Sequence, residues 1–236
     1  DQNTHILDSI TYAKRIQDAI LTSAQYMDNS LGEYFVFYQP KDIVSGDFYW
    51  VYELSPDHVM VAVSDCTGHG VPGAFMSMIG NSLLNEIIIE NGNEEVDNVL
   101  DNMRAHIIKA LHQDDEKHKA MDGMDLTLVK IDKKNKKLSF SSAGHRVYLL
   151  RDGKCIDYKG DAFPVGSYYG EEKPFSLQEI IIQPGDSLYL TTDGFTDQFG
   201  GPNRKKFGLN NLKELIMSSS YVPMDKQKDN FSNAFE

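Results

Sequence analysis

"SDCTGHGVPGAFMSMIGNSLLNE" runs from Ser64 to Glu86 and offers two incompatible readings. Gly68, Gly70 and Gly73 spell G-x-G-x-x-G after the apolar run Val59–Val63 and before a helix-like segment, the layout of a dinucleotide-binding turn. Yet Asp65 stands at the end of that apolar run, where it could hold a metal. A dinucleotide fold needs a second parallel strand after the helix, ending in an acid about 20 residues beyond the glycines. Glu86 and Glu90 stand at about that distance, but inside the helical pattern, and a second helix follows Gly92. The required strand is missing, so the parallel nucleotide-binding fold is rejected. The chain also lacks G-K-[ST], which removes a P-loop.

Working outward, "EYFVFYQP" (33–40), "DFYWVYELS" (47–55) and "HVMVAVSD" (58–65) are rich in aromatic and β-branched residues and are separated by Pro, Gly and Asp. They read as three strands, the last two so closely linked that they form an antiparallel hairpin. Pro72 near a first turn and Gly92 past an end bracket a helix over 72–91. Val96, Leu100, Met103, Ile107 and Leu111 share one face of a second helix over 94–112. A polar loop, 112–123, leads to strands at 124–132, 137–144, 146–153 and 154–160. Two further strands flank the turn Pro184-Gly185-Asp186, and helices follow at 211–219 and 224–236. The basic turn Lys133–Lys137 reads as a solvated hairpin tip. Strands do not alternate with helices, so the expected class is α+β with mainly antiparallel sheets.

At the other end of the chain, Ile6, Ile10, Ala13, Ile16 and Ile20 share one helical face. That helix either packs on its own domain or pairs with a second copy. The 236 residues include 35 acidic and 23 basic ones, a net charge of −12. This balance disfavours nonspecific nucleic-acid binding, which depends on Lys and Arg neutralising phosphates. It leaves room for a phosphate-handling enzyme whose positive charge comes from a metal. Cys66 and Cys155 make no disulfide framework, so the expected compartment is a reducing cytoplasm. No apolar stretch approaches the roughly 18 residues of a membrane span. Any tether to a membrane sensor is therefore expected outside these residues.

The aspartates carry the chemistry. Asp47 starts one strand and Asp65 ends the next, so a hairpin puts both at one rim of the sheet. Asp193 follows a much later strand and Asp125 precedes another. Carboxylates gathered at one edge repel, and keeping them ionised requires a cation. Hard oxygen donors select Mg²⁺, Mn²⁺ or Ca²⁺. Two such ions roughly 3.5–4 Å apart can activate a water and clamp phosphoryl oxygens. Glycines at 46, 68, 70, 73 and 194 let the backbone bend beside these acids. A single Asp at a strand end is commonly a turn residue; it is the recurrence of the pattern that points to a site. Several neighbours keep two readings each. His69 either touches the site or fills a tight turn. Arg146 either binds phosphate or makes a surface ion pair. Cys66 is either redox-active or plainly buried.

"KDIVSGDFYW", "VSDCTGHGVPGAFMSMIGNSLLNE", "DGMDLTL", "SSAGH", "GDSLYLTTDGFTDQFGG" and "FSNAFE" together resemble the bacterial SpoIIE/RsbU-type branch of PPM (PP2C-like) serine/threonine phosphatases. The resemblance runs from about Ile6 to Glu236. It implies a PP2C-like β-sandwich of two antiparallel sheets flanked by helices in αββα layers. It divides the chain into a signalling linker helix, 1–24, and a phosphatase domain, 25–236. It implies a binuclear Mn²⁺ or Mg²⁺ centre, with Asp65 bridging, Cys66 offering its carbonyl, and Asp47 and Asp193 as ligands. Metal-activated water would then hydrolyse phosphoserine or phosphothreonine on a regulatory protein, such as an anti-sigma-factor antagonist; the apolar stripe of the N-terminal helix, not the resemblance, is what suggests a homodimer. Members of this branch ordinarily close with a strand bearing an Asp-Asp pair, and this sequence stops at "FSNAFE" before any such closing strand. The expectation is therefore of a truncated domain. An alternative follows from it, a catalytically impaired signalling or interaction domain of the same fold.

Overall fold

The computed structural model describes residues 2–113, 121–170, 172–200 and 205–235. Two helices open the chain, α1 (Gln2–Ile20) and α2 (Ala24–Ser30), the second capped by Ser23, whose hydroxyl accepts from the Tyr26 N–H. The hairpin β1 (Phe48–Ser55) and β2 (His58–Cys66) comes next, then α3 (Gly70–Leu84). Asn85–Glu90 prolongs α3 in a π-helical turn, and α4 (Val96–Ala110) follows. Gly92 has φ +68°, the left-handed stop that its place after the helix predicts. Strands β3 (Gly123–Asp132), β4 (Lys137–Ala143), β5 (Arg146–Arg151), β6 (Lys154–Lys159), β7 (Val165–Gly166), β8 (Gln178–Ile181) and β9 (Ser187–Leu190) follow. The chain closes with α5 (Asp193–Thr196), the small pair β10 (Phe199–Gly200) and β11 (Lys205–Lys206), then α6 (Gly208–Ser219) and α7 (Met224–Phe235).

The large sheet has the order β1-β2-β3-β4-β8, with β7 beside the start of β3, and the second sheet is β6-β5-β9. All these pairings are antiparallel. Period-two alternation explains the stacking. On β3, Met124, Leu126 and Leu128 face α3 and α4, where they meet Leu84, Ile88, Leu100, Met103 and Ile107. Val129 and Ile131 point the other way, into a layer shared with Val147 and Leu149 of β5. Tyr148 and Leu150, the alternate residues of β5, meet Leu212, Ile216 and Phe231 of α6 and α7. Strands β3 and β5 are thus buried on both faces, and each fully buried Leu or Ile contributes about 1.5–3 kcal/mol. The layers run helix, sheet, sheet, helix, which is the expected αββα sandwich.

One local expectation needs correction. The segment 33–40 forms no strand in the structure. Its alternation is real but serves packing: Tyr34 and Val36 join Met27, Val51 and Val59, whereas Phe35 and Phe37 join Tyr189, Phe195 and Phe231. The segment laces two cores together instead of pairing along a sheet. The two strands expected around Pro184-Gly185-Asp186 are present as β8 and β9, and they do not pair with each other. Strand β8 joins β4 and β9 joins β5, so this turn carries the chain from one sheet to the other. Arg151 fastens the corner, giving a forked pair of bonds to Asp186 (2.9 and 2.6 Å) and a third to the Ile181 carbonyl (2.8 Å). Most of the polar loop at 112–123 lies outside the described residues.

Candidate metal centre

Register brings the acids together. Phe48 pairs with Ser64, so Asp47, one residue before β1, lies at the rim beside Asp65 near the end of β2. On the other side of β2, Asp65 pairs directly with Asp125 of β3. Residues directly opposite in an antiparallel pair project to the same face. Asp193 arrives from the second sheet, as the first residue of α5 just past β9. Thr192 ties the two sheets at this point: its hydroxyl donates to Asp47 Oδ2 at 2.7 Å. The Asp65 carboxyl is within hydrogen-bonding reach of both Asp47 and Asp193.

The charges that act on Asp65 are those of Asp47 and Asp193, both negative. Burial first, then this repulsion, pushes the Asp65 carboxyl up to about 9. Asp47 is also raised, chiefly by burial, although the Thr192 hydroxyl pulls the other way. Burial and the charge of Asp193 raise Asp125 to about 6. Among the described residues no three acid, Cys or His side chains are already drawn around one point as a finished cage. The donor set nonetheless fits a hard divalent cation: carboxyl oxygens on converging elements, partly desolvated, with no counter-charge among them.

The glycine-rich loop holds this rim by close packing. A Cβ on Gly73 would stand 2.6 Å from the Gly68 carbonyl oxygen, and one on Gly46 would stand 3.1 Å from the carbonyl oxygen of Cys66. The loop therefore clamps the backbone around Asp65 and Cys66 to the segment leading into Asp47. The Cys66 side chain is buried, and burial pushes its thiol far above the usual range, which removes the redox reading. His69 Nδ1 lies 3.0 Å from Asp42 Oδ2 on an exposed turn. Arg146 pairs with Asp157, which Lys213 also engages.

Sequence reading thus gathers Asp47, Asp65, Cys66 and Asp193 at one rim, and the structure brings these together. It passes over Thr192, which has no motif of its own. It also names Asp125 without assigning it a role, although antiparallel registration of β2 and β3 would have signalled its place. A further contribution comes from the other end of the chain. Gln17 of α1 is buried and clamps Ser45, donating to its carbonyl at 2.7 Å and accepting from its N–H at 2.9 Å. Ser45 Oγ in turn accepts from the Asp47 N–H at 3.0 Å.

Comparison with known proteins agrees with this geometry. The family model described as Stage II sporulation protein E (SpoIIE) matches residues 55–236. The SiaA-PP2C domain of Pseudomonas aeruginosa superposes with a TM-score of 0.89 at 29% identity, covering 100% of this chain and 91% of that one. The structure of the RsbU and RsbW domains of Rv1364c from Mycobacterium tuberculosis shares the fold, with a TM-score of 0.63, 20% identity, and 82% and 51% of the two chains covered. Protein IcfG of Synechocystis sp. is 23% identical over 201 residues, 77% of this chain; the chain spans only 31% of that relative's length. With the sandwich, the converging aspartates and a family match over most of the chain, this chain belongs to the SpoIIE family of PP2C-like phosphatase domains of bacterial signalling proteins.

Proposed function

We propose that the domain is a metal-dependent protein serine/threonine phosphatase, acting on phosphoserine or phosphothreonine of a regulatory protein. The observation that carries the reading is the meeting of Asp47 and Asp65, from one hairpin, with Asp193, from a segment more than a hundred residues later, so that like charges face Asp65. In this reading Asp65, Asp47, Asp193 and the Cys66 carbonyl hold a binuclear Mn²⁺ or Mg²⁺ centre. The bound cations would lower the pKa of a water and neutralise phosphoryl oxygens. The chain's own groups set the geometry. Thr192 holds one oxygen of Asp47 and so fixes how that carboxyl is turned. The packed glycines bring the Cys66 carbonyl to the rim without side chains in the way. A phosphorylated antagonist of an anti-sigma factor is the proposed substrate class, in line with the RsbU and RsbW domains among the structural relatives.

Hydrolysis of a generic aryl phosphate, with Mn²⁺ and after chelation, tests this reading. Turnover is expected with the metal and none without it. No turnover under any condition would favour a binding domain that keeps the fold.

The reading extends to assembly and location. Ile6 and Ile16 of α1 are 53% and 41% exposed, so these two residues of the stripe are not covered by their own domain. We infer a homodimer formed through α1. Ile16→Glu is expected to turn a sedimenting dimer into a monomer while leaving the thermal midpoint nearly unchanged; a wild type that sediments as a monomer at high concentration would remove the idea. No described helix is long and apolar enough to cross a membrane. Both cysteines are unpaired. A cytoplasmic domain, tethered elsewhere to a sensor, fits these two facts.

A further inference from the structure

The chain is acidic overall, with a net charge of −12, yet one face of the small sheet gathers cations. Both oxygens of Asp157 on β6 are taken there. Arg146 Nη1 of β5 donates to Oδ2, and Lys213 Nζ of α6 donates to Oδ1. A third cation stands on the same face. Lys159 pairs directly with Arg146 across β5 and β6, and residues directly opposite project to one side. Lys159 is exposed and has no acidic partner among the described residues. Three cations therefore surround one carboxylate. The ion pairs do not use up the donors either. A guanidinium has five N–H groups and an ammonium three, and the Arg fork can hold a second carboxylate by two parallel bonds.

Register places this patch beside the acid rim. Val147 pairs with Leu190, so Arg146 stands one step further along, level with Thr191 and two residues before Asp193. On its other side, Arg146 follows two residues after Gly144, where a Cβ would come within 2.1 Å of the Asp125 carboxyl carbon. Two residues of extended chain span about 7 Å. A peptide lying extended across the rim covers that distance in two residues of its own. Side chains close to its phosphorylated residue thus come within reach of Arg146 and Lys159. The charge of the whole chain sharpens the effect. An acidic partner is repelled elsewhere on the molecule and attracted here, which orients its approach.

We propose that Arg146, Lys159 and Lys213 form a docking patch for an acidic stretch of the substrate protein, with a carboxylate within about four residues of the phosphorylated side chain. The inference rests on the phosphatase reading above and adds the chemistry of the substrate's flank. Asp157 holds Arg146 and Lys213 on the face, and the substrate's carboxylate joins the charges it leaves unmatched.

The test uses the whole chain with Mn²⁺ and three phosphoserine peptides that differ only on the flank, which carries Glu, Gln or Lys. At low salt the Glu peptide is expected to have a KM about 5–10-fold below that of the Gln peptide, the scale of two partly exposed charge pairs, with kcat little changed. High salt should erase the difference, because charges this exposed are screened. Net charge alone predicts the reverse order, with the Lys peptide best. Lys159→Glu leaves both ion pairs of Asp157 in place. It should remove most of the preference for Glu and lower the KM of the Lys peptide, a reversal that a merely structural role would not produce. Adding Arg146→Gln should remove what preference remains. A Glu peptide with no lower KM than the Gln peptide, or a Lys159→Glu variant that keeps the full preference, would overturn the proposal. Should the double variant not fold, the single one decides. If no peptide is turned over, the phosphatase reading falls. The same ranking, read by fluorescence anisotropy of labelled peptides, then decides the patch by itself: tightest binding of the Glu peptide keeps it, and equal binding ends it.

Discussion

Replacing Asp65 by Asn is expected to slow Mn²⁺-dependent hydrolysis by at least on the order of 10²–10³-fold, the scale on which losing one electrostatic group slows an enzyme. Asn keeps the shape but supplies no negative charge, so whatever falls is due to charge. The same substitution has an opposite effect on the metal-free fold. Asp65 has its carboxyl raised to about 9 in the folded protein, against an ordinary value of 3.8. Between those limits the folded state holds a proton that the unfolded chain releases. Metal-free stability therefore falls as pH rises through that window, by at most about 1.4 kcal/mol per unit for this one group. Asp65→Asn removes this slope and should leave the metal-free protein more stable than wild type at pH 8. The gain should be on the order of 1–3 kcal/mol, the usual cost of a buried group poorly satisfied. Saturating Mn²⁺ should reverse the order, since the cation binds the ionised wild-type site. Chemical denaturation at pH 5 and pH 8, with chelator and with Mn²⁺, reads all of this. A variant less stable than wild type at pH 8 without metal would show that the acids are not in conflict.

The conflict among the acids was legible in the sequence, and the reason is physical. A hairpin with a short turn leaves no choice but to set the start of β1 beside the end of β2, so Asp47 and Asp65 follow from the strands alone. Strand patterning is equally binding where both faces are buried, as on β3 and β5. What the sequence did not disclose depends on contacts between distant segments. The segment 33–40 has the residues of a strand, but alternation reports only that two sides are packed, and here the two sides belong to different cores. The turn at Pro184-Gly185-Asp186 looks like a hairpin, because local turn chemistry is the same whether the next strand returns to its own sheet or crosses to another. Thr192, Asp125 and Gln17 matter through partners 145, 60 and 28 residues away, and no periodicity marks such pairs.

Gln17 shows how far that long reach extends. Gln17→Leu, close in volume, is expected to destabilise the domain by about 2–4 kcal/mol, because it strands two buried backbone groups of Ser45 that each cost about 1–3 kcal/mol unpaired. Gln17 Nε2 also donates to Ser77 Oγ of α3 at 2.9 Å, so one amide joins α1, the segment before Asp47, and the helix after the glycine-rich loop. The second effect is on the centre. Ser45 Oγ accepts from the Asp47 N–H, and Thr192 holds the Asp47 carboxyl from the other side. Once Ser45 shifts, Asp47 keeps the Thr192 hydroxyl on its carboxyl and the Tyr38 hydroxyl, which donates to its carbonyl at 3.1 Å, but loses the bond at its N–H, and Mn²⁺ affinity should fall about 10–100-fold, as it does when an orienting partner of a ligand is lost. Ser77→Ala removes one bond of the three and leaves Ser45 clamped, so it should cost only about 1 kcal/mol and leave metal affinity unchanged. A double substitution with Thr192→Val separates the two supports: coupling between sites so far apart in sequence is expected only if both act on Asp47. If Gln17→Leu lowered stability but bound Mn²⁺ as wild type does, α1 would be a brace for the fold and nothing more. If affinity falls as expected, any displacement of α1 reaches Asp47 through one side chain and one residue of backbone, a path short enough for a signal arriving along that helix to set the occupancy of the centre.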